Sequence, residues 1–296
     1  MPDESEFELN TLQSPEQYIK LVLTYHEASG WNPTPLDWKV NRAYADYRNF
    51  LVWTYHGEHF MICSFLKDKQ RRIVFWGCYA VNPKFRGLGM ALPLFKTQYD
   101  RLVTRGYRVL ACSVPEMTEK YISRLGMEVY GICREIEASP GDYLGLPTAN
   151  LTEPLDVSDV QELAAYDQRI SGSDRRRVLE VILAESSFKK WAVKNNGIIR
   201  GYAILVYGVT QPMLAPLLAD TEDIAEALTT EAIKWVDHSQ RLLIQGPSPS
   251  GVVKMAEFWG RLGFSATGKF DHLIGQTDFP NDLSKTFSIF NSELGL

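Results

Sequence analysis

The run Arg86-Gly87-Leu88-Gly89-Met90-Ala91 follows closely on an apolar segment, Ile73 to Val81, that reads as a strand. A strand that ends at Asn82-Pro83 and turns into a glycine-rich helix start presents consecutive unpaired backbone N–H groups to an anion, and the helix dipole adds to the attraction. The two glycines let the backbone approach phosphates closely, and Arg86 supplies a charge-assisted contact. The arrangement is suited to cradling a pyrophosphate. Neither Gly-x-x-x-x-Gly-Lys-Ser/Thr nor a complete Gly-x-Gly-x-x-Gly is present, so the two common nucleotide loops are excluded.

The elements that must position this run are legible on both sides of it. Downstream, the pattern predicts a helix over 87–105, a stop at Gly106, a buried strand from Tyr107 to Ser113, a short helix through Tyr121-Ile122-Ser123-Arg124-Leu125-Gly126-Met127, and a strand from Glu128 to Glu137. Upstream, Ser14 caps a helix running to Glu27 with Pro15 in its first turn, and Pro35 to Tyr47 reads as a second helix. Phe50 to Tyr55 and His59 to Leu66 form a hairpin around Gly57, and the charged turn Lys67 to Arg72 reads as a solvated tip. Trp53, Trp76 and Trp191 are most simply core. Breakers at Ser139-Pro140-Gly141-Asp142 and Leu146-Pro147-Thr148 mark a linker.

An internal repeat lies across that linker. Phe258 to Phe264 parallels Tyr121 to Met127, with Gly126 and Gly263 standing 137 residues apart. The same offset brings Leu214 to Ala219 near the strand end at Val81, and Asp220 to Trp235 near the cradle helix. In the second copy Ala219-Asp220-Thr221-Glu222-Asp223 has no glycine and sets three carboxylates where phosphates would sit. The expected organisation is a first domain over 1–138, a linker over 139–152 and a second domain over 153–296.

With 45% hydrophobic and 23% charged residues the 296-residue chain is globular and long enough for two domains. Its apolar stretches are strand-length and its acidic N-terminus has no apolar core, so neither a membrane span nor a signal peptide is expected. Residues 1–140 carry 17 basic against 16 acidic side chains and residues 141–296 carry 14 against 20, which is not a nucleic-acid footprint. Cys63, Cys78, Cys112 and Cys133 show no metal-ligand spacing, so reduced core thiols, no metal and a cytoplasmic location are expected.

Arg86-x-x-Gly89-x-Ala91 resembles the acetyl-CoA signature of the GNAT N-acetyltransferase superfamily, and the preceding Val-x-Pro-x-Phe-Arg resembles its lead-in. Tyr121 to Met127 is similar to the family's second landmark, and Gly30-Trp31-Asn32-Pro33 with Asp37 resembles a loop found in a subset of its members. The second half resembles the degenerate acetyltransferase-like C-terminal domain of certain two-domain members, with Tyr166 to Arg177 like that domain's early helix-to-helix segment. The resemblance implies an α/β fold of tandem GNAT-like domains, each a mixed, mainly antiparallel sheet flanked by helices with a splayed parallel strand pair.

It also implies a site. Backbone groups of Tyr79, Ala80 and Val81 would hold the pantetheine of acetyl-CoA, and Arg86, Gly87, Leu88, Gly89, Met90 and Ala91 its pyrophosphate. The family's usual acid, a tyrosine four residues before the landmark glycine, is replaced here by Ile122. Tyr121 lies about 100° around the helix from that position, and it reads either as the acid or as an aromatic packing the helix on the sheet. Pro93 inside the expected helix suggests an altered cradle. With no carboxylate on the 73–81 strand, a base comes from elsewhere or through water. Glu116 is one choice, although an exposed helix-start glutamate is the commoner reason for an acid there. Tyr25, His26, Trp31, Asn32 and Asp37 are expected to line the acceptor pocket. The expected function is acetyl-CoA-dependent N-acetyl transfer to a primary amine of a small molecule, by a monomer or weak homodimer. The competing reading is a non-catalytic acyl-CoA-binding sensor or interaction protein.

Overall fold

The computed structural model describes residues 3–12, 14–25, 32, 50–146, 151–249, 254–277, 280 and 282–289. The expected helix over Pro35 to Tyr47, and the positions of His26, Trp31 and Asp37, lie outside the described residues.

In the first half, β1 (Phe7–Thr11), β2 (Phe50–Tyr55), β3 (Glu58–Asp68) and β4 (Ile73–Val81) form an antiparallel ladder. His56 and Gly57, both at positive φ, make the two-residue β2–β3 turn whose twist matches the strands. The first helix begins as α1 (Pro15–Tyr18) and continues as a π-turn over Ile19–Leu23. Helix α2 (Ala91–Thr104) crosses over to β5 (Arg108–Ser113), which pairs in parallel with β4; α3 (Pro115–Leu125) stops at Gly126 in the left-handed region and leads into β6 (Glu128–Ala138).

The second half repeats this plan. Strand β7 (Thr152–Pro154) precedes the helices α4 (Val160–Ser171) and α5 (Arg176–Ala184), then β8 (Lys189–Asn195), β9 (Ile198–Tyr207) and β10 (Pro212–Ala219). Helix α6 (Glu222–Ile233), β11 (Leu242–Pro249), α7 (Lys254–Arg261), β12 (Ser265–Gly275) and a short β13 (Thr286–Ser288) complete it. Ser265 opens β12 137 residues after Glu128 opens β6.

The strands join into one sheet in the order β1-β2-β3-β4-β5-β12-β6-β11-β10-β9-β8-β7. Replacing each strand by its copy, β1 by β7 through β6 by β12, reads the same order backwards. The centre of this palindrome is an exchange. The last long strand of the second half pairs with β5 of the first, Leu273 opposite Cys112, and β6 pairs with β11, Ile136 opposite Ile244. The tandem, mainly antiparallel α/β architecture with parallel pairs β4–β5 and β10–β11 is therefore present, with the halves sharing one sheet.

Packing follows the same duplication. The α2 and α3 face of the first half buries Phe95, Tyr99 and Tyr121 against Val74, Trp76 and Val109, and α6 and α7 bury Leu228, Phe258 and Trp259 against the equivalent strands. A third core belongs to both halves: Leu66, Phe75 and Leu110 pack with Leu163, Ile170 and Leu179 of α4 and α5. Trp53, Trp76 and Trp191 are all buried, as expected.

The segment 166–177 is a helix hairpin organised by one buried carboxylate. Asp167, with no exposed surface, receives Arg175 Nε at 2.9 Å and the hydroxyls of Ser171 and Tyr202. The turn Lys67 to Arg72 is exposed at its tip, Lys69 to Arg72, as expected, and two of its side chains also dock here. Arg71 Nη1 donates to Ser173 Oγ at 3.2 Å and Ser173 Oγ donates to Asp68 Oδ2 at 3.2 Å, because the shared core brings the α4–α5 turn against β3 and β4.

Replacing Asp167 by Ala leaves the Arg175 guanidinium buried without its counter-charge, and chemical denaturation should show a loss of about 3–5 kcal/mol. Expression of residues 1–138 alone removes β12 from between β5 and β6, so this fragment is expected to aggregate on size exclusion and to become soluble when co-expressed with 139–296.

Candidate functional site

The anion cradle begins where β4 ends. Asn82 accepts Lys84 N at 3.0 Å and donates to the His59 carbonyl at 2.8 Å, which closes a single 3-10 turn over Pro83–Phe85. The chain then passes through Gly87 and Gly89 at φ of 89° and 77°. These left-handed residues correct the expected helix start. A right-handed helix cannot include them, so α2 begins at Ala91 and not at 87. Its N-cap, Met90, offers no side-chain acceptor to the first turn, so the N–H groups there are left for an outside partner. Pro93 falls in that first turn, where a missing N–H breaks no helical bond, and the expected disturbance of the cradle does not arise. Arg86 folds its Nε onto the Val81 carbonyl at 3.2 Å, over the end of β4.

A slot opens beside this cradle. The β4–β5 ladder runs from Ile73 opposite Arg108 to Trp76 opposite Ala111 and stops there, although β4 continues to Val81 and β5 to Ser113. The cause is a bulge. Between Gly77 and Ala80, β4 spends three steps against two on β3, and Cys78 takes a φ of 50°. An extra residue turns a strand away from its neighbour and increases its twist.

The slot's floor is aromatic. The Trp76 ring lies 4.1 Å from Phe95 and 4.6 Å, edge-on, from Tyr121; Tyr79 is 5.4 Å from Phe95 and 6.5 Å from Tyr121. Tyr121 therefore faces the sheet at the point where β4 leaves β5. Burial pushes its hydroxyl well above the usual tyrosine value, so it keeps its proton at neutral pH. That hydroxyl has no hydrogen-bond partner among the described residues, and the Trp76 Nε1 beside it is buried and unpartnered. Glu116 is exposed in the first turn of α3.

The corresponding slot in the second half is filled. Strand β10 repeats the bulge, between Leu214 and Leu217, but β13 lies in the opening: Leu217 and Leu218 face Ser288 and Thr286, Ala219 N donates to the Lys285 carbonyl at 3.0 Å, and Ile289 N donates to the Gln245 carbonyl of β11 at 3.0 Å. The second cradle is closed as well. Thr221 caps α6 through Ile224 N, and Asp220 is paired with Arg169, Arg200 and Lys285.

Of the expected acceptor residues, Tyr25 is buried against Cys78 and Ala80 on the face of β4 away from α2, with its hydroxyl 3.4 Å from the His59 carbonyl. Asn32 does something the sequence did not suggest. Its Oδ1 accepts Thr210 N and Thr210 Oγ1 at 2.9 and 2.8 Å and its Nδ2 donates to the Gln211 carbonyl at 2.9 Å, so the side chain is committed to the β9–β10 turn of the second half. Sequence reasoning also missed β12. His272 Nδ1 lies 2.9 Å from Thr118 Oγ1 of α3, and Asp271, next to it, stands at the end of β5. Nothing local in the sequence marks a strand of the second half as a neighbour of β5.

Residues 163–281 match the sequence family described as the acetyltransferase (GNAT) domain. This match falls in the second half and not on the half that carries Arg86 to Ala91. No curated protein matches the chain. Among solved structures, a putative acetyltransferase from Pyrococcus horikoshii has a TM-score of 0.77 at 12% identity, over 99% of this chain and 97% of its own. A GCN5-related N-acetyltransferase from Sphaerobacter thermophilus gives 0.61 at 15% identity over 99% of both chains, and a tandem GNAT protein from the clavulanic acid biosynthesis pathway gives 0.63 at 10% identity over 91% and 98%. At these identities the likeness is one of fold. Residues 163–281 thus match the GNAT acetyltransferase domain in sequence, and the whole chain has the fold of the tandem GNAT protein, two copies of one plan sharing a sheet.

Proposed function

We propose that this chain is an acetyl-CoA-dependent N-acetyltransferase acting on a primary amine of a small molecule, with acetyl-CoA bound by the first half, residues 1–138, and the second half, 153–296, walling the acceptor side. The observation that carries this reading is the contrast between two equivalent slots, one open beside a glycine nest and the other filled by β13 beside paired carboxylates. Cys63, Cys78, Cys112 and Cys133 form no disulfide, which fits a reducing, cytoplasmic setting.

In this reading the N–H groups around Gly87 and Gly89 and the first turn of α2 hold the pyrophosphate, with Arg86 swinging from the Val81 carbonyl to meet it. The backbone of Tyr79 to Val81, free of β5, hydrogen-bonds the pantetheine as an added strand and polarises the thioester carbonyl as it gains negative charge. Tyr121 keeps its proton through burial and donates it to the departing thiolate.

Calorimetry should count one CoA per chain. Replacing Gly89 by Val forces a β-branched residue into the left-handed region at a cost of about 1–3 kcal/mol and blocks the nest, so CoA affinity should fall more than about tenfold. Asp220→Ala should leave CoA affinity unchanged, and two sites per chain would overturn the assignment.

Tyr121→Phe keeps the packing on Trp76 and removes only the hydroxyl. Thiol release with a panel of amines should slow by about 10²-fold with acetyl-CoA affinity preserved. Wild-type turnover in this variant would assign thiolate protonation to water and Tyr121 to packing. A wild-type chain that binds CoA but releases no thiol with any amine would favour the sensor reading, to which Ile122 in place of the family's tyrosine also points.

A further inference from the structure

The geometry points to Asp271, contributed by the second half through β12, as the group that receives the acceptor amine's proton at the first half's slot. This inference rests on the reading of that slot given under Proposed function.

The exchange sets β12 beside the strand that borders the opening. His272 stands opposite Ser113 and Leu273 opposite Cys112, so Asp271 falls one residue past the end of β5, at the mouth of the slot. Alternation along β12 then fixes its face. His272 meets Thr118 of α3, whereas Leu273 clusters with Cys133, Cys112 and Ile289 on the other side, and Asp271 is opposite Cys133. This is the side of the sheet away from α2 and α3, the one lined on β4 by Cys78 and Ala80 with Tyr25. Helices α2 and α3 cover the opposite face; on this side Asp271 is partly exposed beside the end of β5, so an acceptor entering between it and the Tyr25 packing meets the carboxylate before it reaches the slot.

The carboxylate has no ordinary structural reason to be there. It is mostly buried, and among the described residues it accepts no hydrogen bond and pairs with no cation. Burying an uncompensated carboxylate is costly, and such groups concentrate at sites that use them. The titratable groups facing it are Glu135 and the Cys133 thiol from β6, Glu116 from α3 and the Cys112 thiol from β5, with His272 turned to the other face. None of these supplies a positive charge. Burial, with Glu135 and then Glu116 adding repulsion, raises the Asp271 carboxyl to about 6, so it is chiefly ionised at neutral pH yet basic enough to take a proton. An ammonium group is the partner this arrangement lacks.

In the transfer step Asp271 takes one proton from the acceptor nitrogen, the nitrogen lone pair forms the new C–N bond at the thioester carbonyl, and the C–S bond breaks with its electrons on sulfur. The thiolate is protonated to free CoA thiol, and Asp271 returns its proton to solvent, so the balance is amine plus acetyl-CoA to amide plus CoA thiol.

The test compares wild type with Asp271→Asn, and with Asp271→Ser as a second variant read the same way. In wild type kcat/KM for an amine should fall below a limb near pH 6. In the variants that limb should vanish and kcat/KM at pH 7.5 should drop by about 10²-fold or more, with acetyl-CoA affinity unchanged. A second readout needs no substrate. A carboxyl whose folded value is raised adds stability below its unfolded value near 4, and that stability is lost as pH rises through 6. The Asn variant should therefore melt at the wild-type temperature at pH 4 and above it at pH 8. Wild-type kcat/KM with the limb intact in both variants would overturn the assignment. A wild-type chain that transfers no acetyl group to any amine would overturn the enzyme reading and this inference with it, a result distinguishable because no variant is involved.

Discussion

Every feature of this molecule depends on the backbone pairing at its centre, where β5, β12, β6 and β11 run side by side. A GNAT half that kept its own last strand would end in an edge of unpaired N–H and C=O groups, the commonest route to unwanted association. Here each half gives that strand to the other. The exchange leaves β5 paired along Leu110 to Ser113 and β11 along Leu242 to Pro249, and each of these partners lies on the far side of the linker in sequence. Because the ladder crosses the linker, the cores must cross it too, and Phe75 and Leu110 of the first half are buried by the same cluster as Leu163 and Leu179 of the second.

The two slots record what duplication preserved and what it let go. The bulge survives in both, at Gly77 to Ala80 and at Leu214 to Leu217, since it is built into the ladder and its loss would misregister whole strands. The chemistry at the opening does not survive. Gly87 and Gly89 hold backbone conformations that other residues adopt only with strain, and no side chain of the N-cap residue Met90 closes the first turn of α2. At the second opening Thr221 caps the first turn of α6, Arg169, Arg200 and Lys285 pair with Asp220, and β13 completes the sheet. A slot filled by its own chain is a structural element, and the second half contributes instead through what it lends its partner: β12, and the β9–β10 turn that grips Asn32.

Several local readings turned on a single physical detail. The helix expected from 87 starts at Ala91 because positive φ at two glycines outweighs helical periodicity, and that shift makes Pro93 harmless. The charged turn at Lys67 to Arg72 has the composition of a solvent-facing tip, but Asp68 and Arg71 find hydrogen-bonding partners only after α4 and α5 have packed beside it. Tyr121, one position from the family's tyrosine, faces the slot because the helix that carries it is anchored by Trp76 and capped at Gly126, which sets its rotation on the sheet.

The sequence by itself determined the elements whose causes are local: the strand and glycine nest at Val81 to Ala91, the helix stop at Gly126, the buried tryptophans, and the duplication visible in the 137-residue spacing of Gly126 and Gly263. Those follow from backbone sterics, hydrophobic periodicity and repetition, all of which act between near neighbours or leave a copy behind. Tertiary structure alone decided which edge each strand would pair with. Strands β6 and β12 carry similar alternating patterns, and an alternating pattern specifies a buried face without naming a neighbour. The exchange, the filling of the second slot by β13, the gripping of Asn32 and the arrival of Asp271 at the end of β5 all join residues more than 60 positions apart, and all but the Asn32 contact do so through backbone pairing that many side-chain sequences can make.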